Sequence, residues 1–241
     1  MNIILVAYRW NSAKSRALDQ WIRALPPADE VIVIENATDG TLPSSNYQVV
    51  RGNNIFAEFS GYAEALKKLR RPNQPCLILN DTALAHHTRI LWCRQIRQWI
   101  QWNRTGIFGD PRKEQLVTEF GQLTYYASWI FWLPSAQSLQ VFSDGLDHVM
   151  AHWDLRFSAD SGYRNFLNRY LKGSIFHGWK NAGLKDQKAT DLKIRCIWAE
   201  HRLSEFIQRD YPLQPLNIFG SAALRLLDRG YSFRRRTQSF L

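Results

Sequence analysis

The residues best placed for chemistry in this chain stand where short apolar runs end. Glu35-Asn36-Ala37-Thr38-Asp39-Gly40 directly follows Val31-Ile32-Val33-Ile34. A run of that kind is a buried strand, and open α/β sheets bind ligands beyond the carboxyl ends of their strands. A carboxylate in that position accepts hydrogen bonds from a base or a ribose. The Thr-Asp-Gly turn lets the backbone bend close to a ligand, although the same residues also suit an ordinary strand end. A second apolar run, Cys76 to Leu79, ends in Asn80-Asp81-Thr82, and a basic run, Arg234-Arg235-Arg236, stands near the C-terminal end.

The elements that must position these groups follow from hydrophobic spacing. Ile3–Val6 is a short buried strand leading into Ala7-Tyr8-Arg9-Trp10. Ser12 is the expected N-cap of a helix carrying Leu18, Trp21, Ile22 and Leu25, which Pro26-Pro27 ends. Val31–Ile34, Tyr47–Arg51 and Cys76–Leu79 are the next strands, with a turn at Gly52-Asn53-Asn54. A helix near Phe59 carries Tyr62, Leu66 and Leu69, with Lys67, Lys68, Arg70 and Arg71 near its C-terminal end, where cations complement the helix dipole. Trp92, Ile96, Trp99 and Ile100 stripe another helix, and Gly106–Gly109 is a short strand.

Such alternation predicts a Rossmann-like sheet covered on both faces. The second half reads differently. Leu116–Phe120 and Leu123–Tyr126 form a predicted hairpin around Gly121, Trp129–Leu133 a further strand, and Pro134 opens a helix with Leu139 and Phe142 inward. Helices follow around Tyr163–Leu171, with Ser158 and Asp160 near the start, and around Leu192–Ile207. Gly173 to Lys188 is a candidate mobile lid, and a last helix is expected over Gly220–Arg229.

The bulk properties narrow the classes. At 241 residues and 45% apolar content the chain builds a sizeable core, which excludes disorder and fits one α/β domain. Cys76, Cys93 and Cys196 are scattered without metal spacing and read as buried thiols in a reducing compartment. The N-terminus lacks signal-peptide character, and no apolar stretch reaches the roughly 18 residues of a membrane span. A cytoplasmic location is therefore expected. A net charge of +10 favours an anionic partner, and the ten tryptophans suit either a sugar-binding groove or an ordinary core. Charge and aromatics together also fit a nucleic-acid-binding module, the main alternative function. The basic residues are, however, spread along the chain with no recognised binding motif, so no nucleic-acid partner is expected. No Gly-x-Gly-x-x-Gly, Walker loop, serine elbow, His-Glu-x-x-His or Cys-x-x-Cys occurs, which argues against dehydrogenase, kinase, esterase and zinc-enzyme readings.

Glu35 to Gly40 resembles the D-N-x-S-x-D-G turn of nucleotide-sugar glycosyltransferases with the GT-A fold. Asn54-Ile-Phe-Ala-Glu58-Phe59-Ser60-Gly61-Tyr62, followed by Ala65-Leu66, is similar to the N-x-G-x-D-F-G-G-W…A-L motif of the rhamnan-synthesis family of glycosyltransferases. Leu79-Asn80-Asp81-Thr82 resembles that family's L-N-D-S, and Ala127-Ser128-Trp129-Ile130 stands where the family has Q-S-Y-F. Asp160-Ser161-Gly162-Tyr163 resembles E-x-G-L, and Asn217 with Gly230 to Arg235 resembles the closing N-P…G-x-P-F-x-K. The segments are collinear over nearly the whole chain. Phe56 replaces the family's middle glycine, Glu58 its aspartate and Ser232 its closing proline, and no proline follows Asn217. A tighter loop or altered donor pocket follows, and an inactive glycan-binding protein is the alternative these departures leave open.

The resemblance implies an α/β fold: a GT-A-like Rossmann-type mixed sheet with helices on both faces and a mostly helical C-terminal extension. It implies one domain over residues 1–241, with a nucleotide-binding half (1–110) and an acceptor half (111–241). The implied activity is sugar transfer from a nucleoside-diphosphate-sugar donor to a surface polysaccharide or lipid-linked glycan. Tyr8, Glu35, Asn36, Asp39 and Glu58 would bind the nucleotide, and Arg235, matching the family's closing lysine, would close over the diphosphate. The basic C-terminus would otherwise be solvated or lie on anionic lipid at the inner face of the membrane. Asp81 would hold Mg²⁺ or Mn²⁺, its alternative being an Asx turn, with His86 and His87 weaker ligand candidates. Asp160, then Asp110, would deprotonate the acceptor hydroxyl. Ser128 and Trp129 would line the acceptor site, and His177 and Trp179 lie in the expected lid, where an exposed ring stacks on a sugar.

Overall fold

The computed structural model describes residues 1–37, 42, 45–85, 89–101, 105–118, 121–153, 161–172 and 187–215. The expected lid up to residue 186, the helix over 220–229, and Asp39, His86, His87, Asp160, His177, Trp179 and Arg234 to Arg236 lie outside the described residues.

In chain order the elements are β1 (Asn2–Ala7), α1 (Ser12–Arg23), β2 (Glu30–Glu35), β3 (Gln48–Arg51), α2 (Glu58–Lys68), β4 (Cys76–Asn80) and α3 (Asp81–Leu84). There follow α4 (Arg89–Gln101), β5 (Ile107–Thr118), β6 (Gly121–Leu133), α5 (Ala136–Ala151), α6 (Ser161–Lys172), α7 (Gln187–Asp210) and β7 (Leu213–Pro215). The strands form one seven-stranded sheet in the order β3-β2-β1-β4-β6-β5-β7. β1 to β4 are mutually parallel, β6 runs antiparallel to both β4 and β5, and β7 is parallel to β5. This is a mixed, Rossmann-like α/β sheet.

Its central strands are apolar on both faces because both faces are covered. Ile4, Val6, Ile32, Ile34 and Ile78 pack with α2, α5, α6 and α7. Their neighbours Ile3, Leu5, Val33, Leu77 and Leu79 turn the other way, onto Leu18 and Trp21 of α1 and Trp92, Ile96 and Trp99 of α4. Trp10, Trp21, Trp92, Trp99, Trp129, Trp132 and Trp198 are all buried, so among the described residues the tryptophan content serves chiefly the core. The three cysteines are buried free thiols. Among the described residues no helix is long and apolar enough to cross a membrane.

Three expectations need correction. The N-cap of α1 is Asn11, not Ser12, because the Asn11 Oδ1 accepts from the amides of Ala13 and Lys14 at 3.0 Å each. The helix expected at Pro134 starts at Ala136, after Ser135 and Ser138 close a capping box. The short strand at 106–109, the hairpin around Gly121 and the strand at 129–133 are two long strands, β5 and β6, paired through the polar stretch Asp110 to Glu114. Bulges between Gly109 and Asp110 and between Glu114 and Thr118 break the period that marks a strand in sequence. Residue 110 thus lies inside β5, and the strands before and after it share one sheet. Beyond β6 the described chain is mostly helical, with β7 returning to the sheet edge.

Candidate active site

β1 is flanked by β2 on one side and β4 on the other, and the connections from it diverge there. In open α/β sheets that divergence leaves a crevice at the carboxyl ends of the strands. Tyr8, Glu35, Asn36, Arg51 and Asp81 all stand at or just beyond those ends. The antiparallel β6 brings Ser128 to the same edge, since Leu79 of β4 pairs with Ile130.

The β1–α1 loop is shaped by Glu35, which is 4% exposed. Its Oε1 accepts from the amides of Arg9 and Ala37 at 2.8 Å each, and its Oε2 accepts from the amide of Trp10. The carboxylate is engaged by the protein's own backbone and holds a loop in which Arg9 takes φ +55°. Asn36 is fully buried and donates from Nδ2 to the Ala57 carbonyl at 2.7 Å. Gly52 makes room for it, because a Cβ there would meet Asn36 Oδ1 at 2.0 Å. Asn54 and Ala57, in the β3–α2 loop, also adopt positive φ, at +53° and +50°. Non-glycine residues held in that region store strain of order 1–3 kcal/mol each.

Tyr8 links the two loops, its hydroxyl donating to Asn54 Oδ1 at 3.0 Å and its amide to Asp81 Oδ2 at 3.2 Å. Burial, and then the Glu58 carboxylate, push its phenol pKa up. Lys14, in the first turn of α1, reaches the same point. Its Nζ lies 2.7 Å from Asp81 Oδ2 and also donates to the Tyr8 carbonyl.

Glu58 begins α2 and is 8% exposed. Its Oε1 accepts from Ser128 Oγ at 2.5 Å and from Asn80 Nδ2 at 3.3 Å. Asn80 uses its other atom to cap α3, accepting from the Thr82 amide at 3.0 Å. Ser128 joins Glu58 to a residue that sequence reasoning missed: the Ser128 amide donates to Glu200 Oε1 at 2.6 Å. The Tyr62 hydroxyl donates to the Ser128 carbonyl at 2.7 Å and fixes this strand position. Burial pushes the Glu200 carboxyl up to about 7, with Glu58 adding to the shift while Lys193, the Ser128 amide and Arg112 oppose it. The one sequence signal was Lys193, Cys196 and Glu200 spaced along a single face of α7.

Other expected residues sit apart from this network. Asp110 is 1% exposed and accepts from Arg112 Nη2 at 3.1 Å and Trp129 Nε1 at 2.9 Å. Trp129 is 4% exposed, its ring edge-on to Trp92 at 4.9 Å between centroids. Both therefore belong to the packed interior of the β5–β6 ladder, and neither presents a free surface to an acceptor. A cleft of about 620 Å³ opens between Asn53, Asn54 and Ile55 and the N-terminal part of α7, where Lys188, Asp191 and Arg195 line it. That volume suits a small-molecule ligand. A second cleft of about 350 Å³ lies beyond Trp10, between Arg16 and Asn46.

A divalent metal fits these residues poorly. Mg²⁺ and Mn²⁺ need several hard oxygen ligands. Here Asp81 Oδ2 already bears an ammonium, Asn80 has both amide atoms engaged, and Glu58 is bonded to Ser128 and Asn80. Among the described residues no group of three or more His, Cys, Asp or Glu is placed to hold a metal ion.

No family model matches the chain, and no curated protein does. Among solved structures it is similar to a CMP:2-keto-3-deoxy-manno-octonic acid synthetase complexed with CTP, at 8% identity over 59% of this chain and 77% of that one, with a TM-score of 0.40. It is also similar to a 4-diphosphocytidyl-2C-methyl-D-erythritol synthase from Anaerococcus prevotii, at 13% identity, 81% and 95% coverage and a TM-score of 0.42. A 2-C-methyl-D-erythritol 4-phosphate cytidylyltransferase from Thermus thermophilus matches at 13% identity, 80% and 97% coverage and a TM-score of 0.37. These are distant likenesses.

Proposed function

We propose that this protein is a GT-A-type glycosyltransferase, moving a sugar from a nucleoside-diphosphate donor to a polysaccharide or lipid-linked glycan acceptor. One observation carries the reading. Buried Glu35, Asn36, Glu58, Asn80 and Ser128 converge with strained Arg9, Asn54 and Ala57 on the single sheet edge where such folds bind nucleotides. The collinear resemblance of the same segments to the rhamnan-synthesis family supports the choice of sugar transfer among nucleotide chemistries.

On this reading the cleft lined by Asn54 takes the donor, with Tyr8 bonded to Asn54 at its margin and Asn36 buried behind the same loop. The acceptor oxygen attacks the anomeric carbon, the bond from that carbon to the diphosphate oxygen breaks, and the diphosphate leaves with the electron pair. Glu200, poised at about 7 and tied to Glu58 through Ser128, takes the hydroxyl proton. Asp160 is the alternative base, and Asp110 requires the β5–β6 ladder to open before it can serve. Asp39 and Arg235 add nucleotide and diphosphate contacts, Trp179 an acceptor contact, and the basic C-terminus a peripheral contact with anionic lipid.

Titration of the intact chain with a panel of nucleoside-diphosphate sugars, followed by donor hydrolysis, tests the reading. At least one donor is expected to bind and turn over. Absence of binding to every donor at millimolar concentration overturns it, and binding without turnover identifies a glycan-synthesis relative that has lost catalysis.

A further inference from the structure

Resting on that reading, we infer that the chain meets the donor's diphosphate with the Lys14 ammonium, in the position where Asp81 would otherwise hold a divalent cation. The carboxylate offered at the β4 tip is single, since its neighbour is Asn80 and not a second acid. That amide is committed at both ends, to the Thr82 amide at 3.0 Å and to Glu58 at 3.3 Å. Asp81 Oδ2 is committed too, to the Tyr8 amide at 3.2 Å and to Lys14 Nζ at 2.7 Å. What stands at the junction of the β1 and β4 tips is thus an ion pair whose ammonium is brought by the first turn of α1 and held in place by Asp81 and the Tyr8 carbonyl.

A lysine ammonium has three donors. Asp81 and the Tyr8 carbonyl take two, and the third is left for a phosphate oxygen. The group is neither sealed in nor free to wander: the Lys14 and Asp81 side chains are 26% and 23% exposed. Lysine binds phosphate as a point charge, and a cation held beside a departing diphosphate stabilises the charge that develops on it. Asp81 then acts on the diphosphate only through Lys14, as a positioning residue.

Nucleotide affinity of the full chain, measured by calorimetry in excess EDTA and again with Mn²⁺, tests the inference. UDP, GDP, CDP and dTDP serve as probes beside the matching nucleosides. The diphosphate that binds is expected to do so equally in both buffers. Lys14→Met, which keeps the aliphatic stem, is expected to weaken the diphosphate about 10- to 100-fold while leaving its nucleoside unchanged, and Lys14→Arg to retain most of the affinity. Binding that vanishes in EDTA and returns with Mn²⁺ overturns the inference and leaves the glycosyltransferase reading standing. So does a Lys14→Met protein that loses nucleoside and diphosphate alike, since that marks a structural ion pair. If Lys14→Met fails to fold, the two-buffer comparison on the unaltered chain decides alone. Failure of every diphosphate in both buffers overturns the functional reading itself, and this inference with it.

Discussion

The two ends of the same sheet are built on different terms. At the amino edge, chain ends are tied down by ion pairs and single side-chain hydrogen bonds, among them the pair between the buried Met1 amino group and Asp29. Lys67 lies 3.5 Å from Asp147 with both side chains more than half exposed, Glu30 accepts from the Arg70 amide, and Asn2 donates to the Arg71 carbonyl. The positive φ near that edge belongs to Gly106, at +125°, where no Cβ opposes it. At the carboxyl edge the positive φ values fall on Arg9, Asn54 and Ala57, and buried acids and amides hold them there. Buried polar networks add little net stability over well-packed apolar residues. Among the described residues, the non-glycine positive φ values thus gather at the carboxyl edge together with buried Glu35, Asn36, Glu58 and Asn80, whereas the amino edge buries Asn2 without such strain.

That contrast can be broken by substitution. The largest effect is expected from Glu35→Ala, which strips the acceptor from the amides of Arg9, Trp10 and Ala37 and should lower unfolding free energy by about 3 kcal/mol in denaturant titration. A loss below about 1 kcal/mol would mean that the β1–α1 loop holds itself. Gly52→Ala comes next: its Cβ would overlap Asn36 Oδ1, and overpacking of that kind costs about 2 kcal/mol.

Glu200 sharpens the comparison through pH. Its carboxyl titrates near 7 in the folded chain against about 4.5 unfolded, so the folded state binds more protons between those values. Its contribution to stability is therefore fully present below about 4.5 and is lost as pH rises through 7. The melting temperature of the unaltered chain should fall over that window more steeply than that of Glu200→Gln, and equal slopes would mean that burial does not hold this carboxyl up. His201 has the opposite sign. Burial beside Tyr163 holds its pKa down to about 3, so the stability it contributes is present above about 6.5 and is lost as pH falls towards 3. His201→Asn should flatten that acid-side loss. The smallest effect belongs to the amino edge, where Lys67→Ala should change stability by less than about 0.5 kcal/mol.

Much of the frame was legible along the chain. Ile3–Val6, Val31–Ile34 and Cys76–Leu79 read as buried strands because apolar runs of that length, bounded by turn residues, have few other uses. Their tips named Tyr8, Glu35, Asn36 and Asp81, and the resemblance added Glu58 and Ser128; all six stand on one edge. The two ends and the Gly121 turn of the β5–β6 hairpin were legible, but their continuity was not, since the middle is polar and bulged. Nor was the burial of Asp110 against Trp129, which depends on a cross-strand neighbour.

Local pattern thus determined where strands end and which polar groups they display, because periodicity and turn chemistry act over a few residues. Tertiary structure decided what those groups touch. Lys14 meets Asp81 across 67 residues, and Ser128 meets Glu200 across 72. Contacts that distant are set by how strands and helices pack, so only the folded chain turns the Asp81 carboxylate towards an ammonium and Glu200 into a carboxyl that titrates near neutrality.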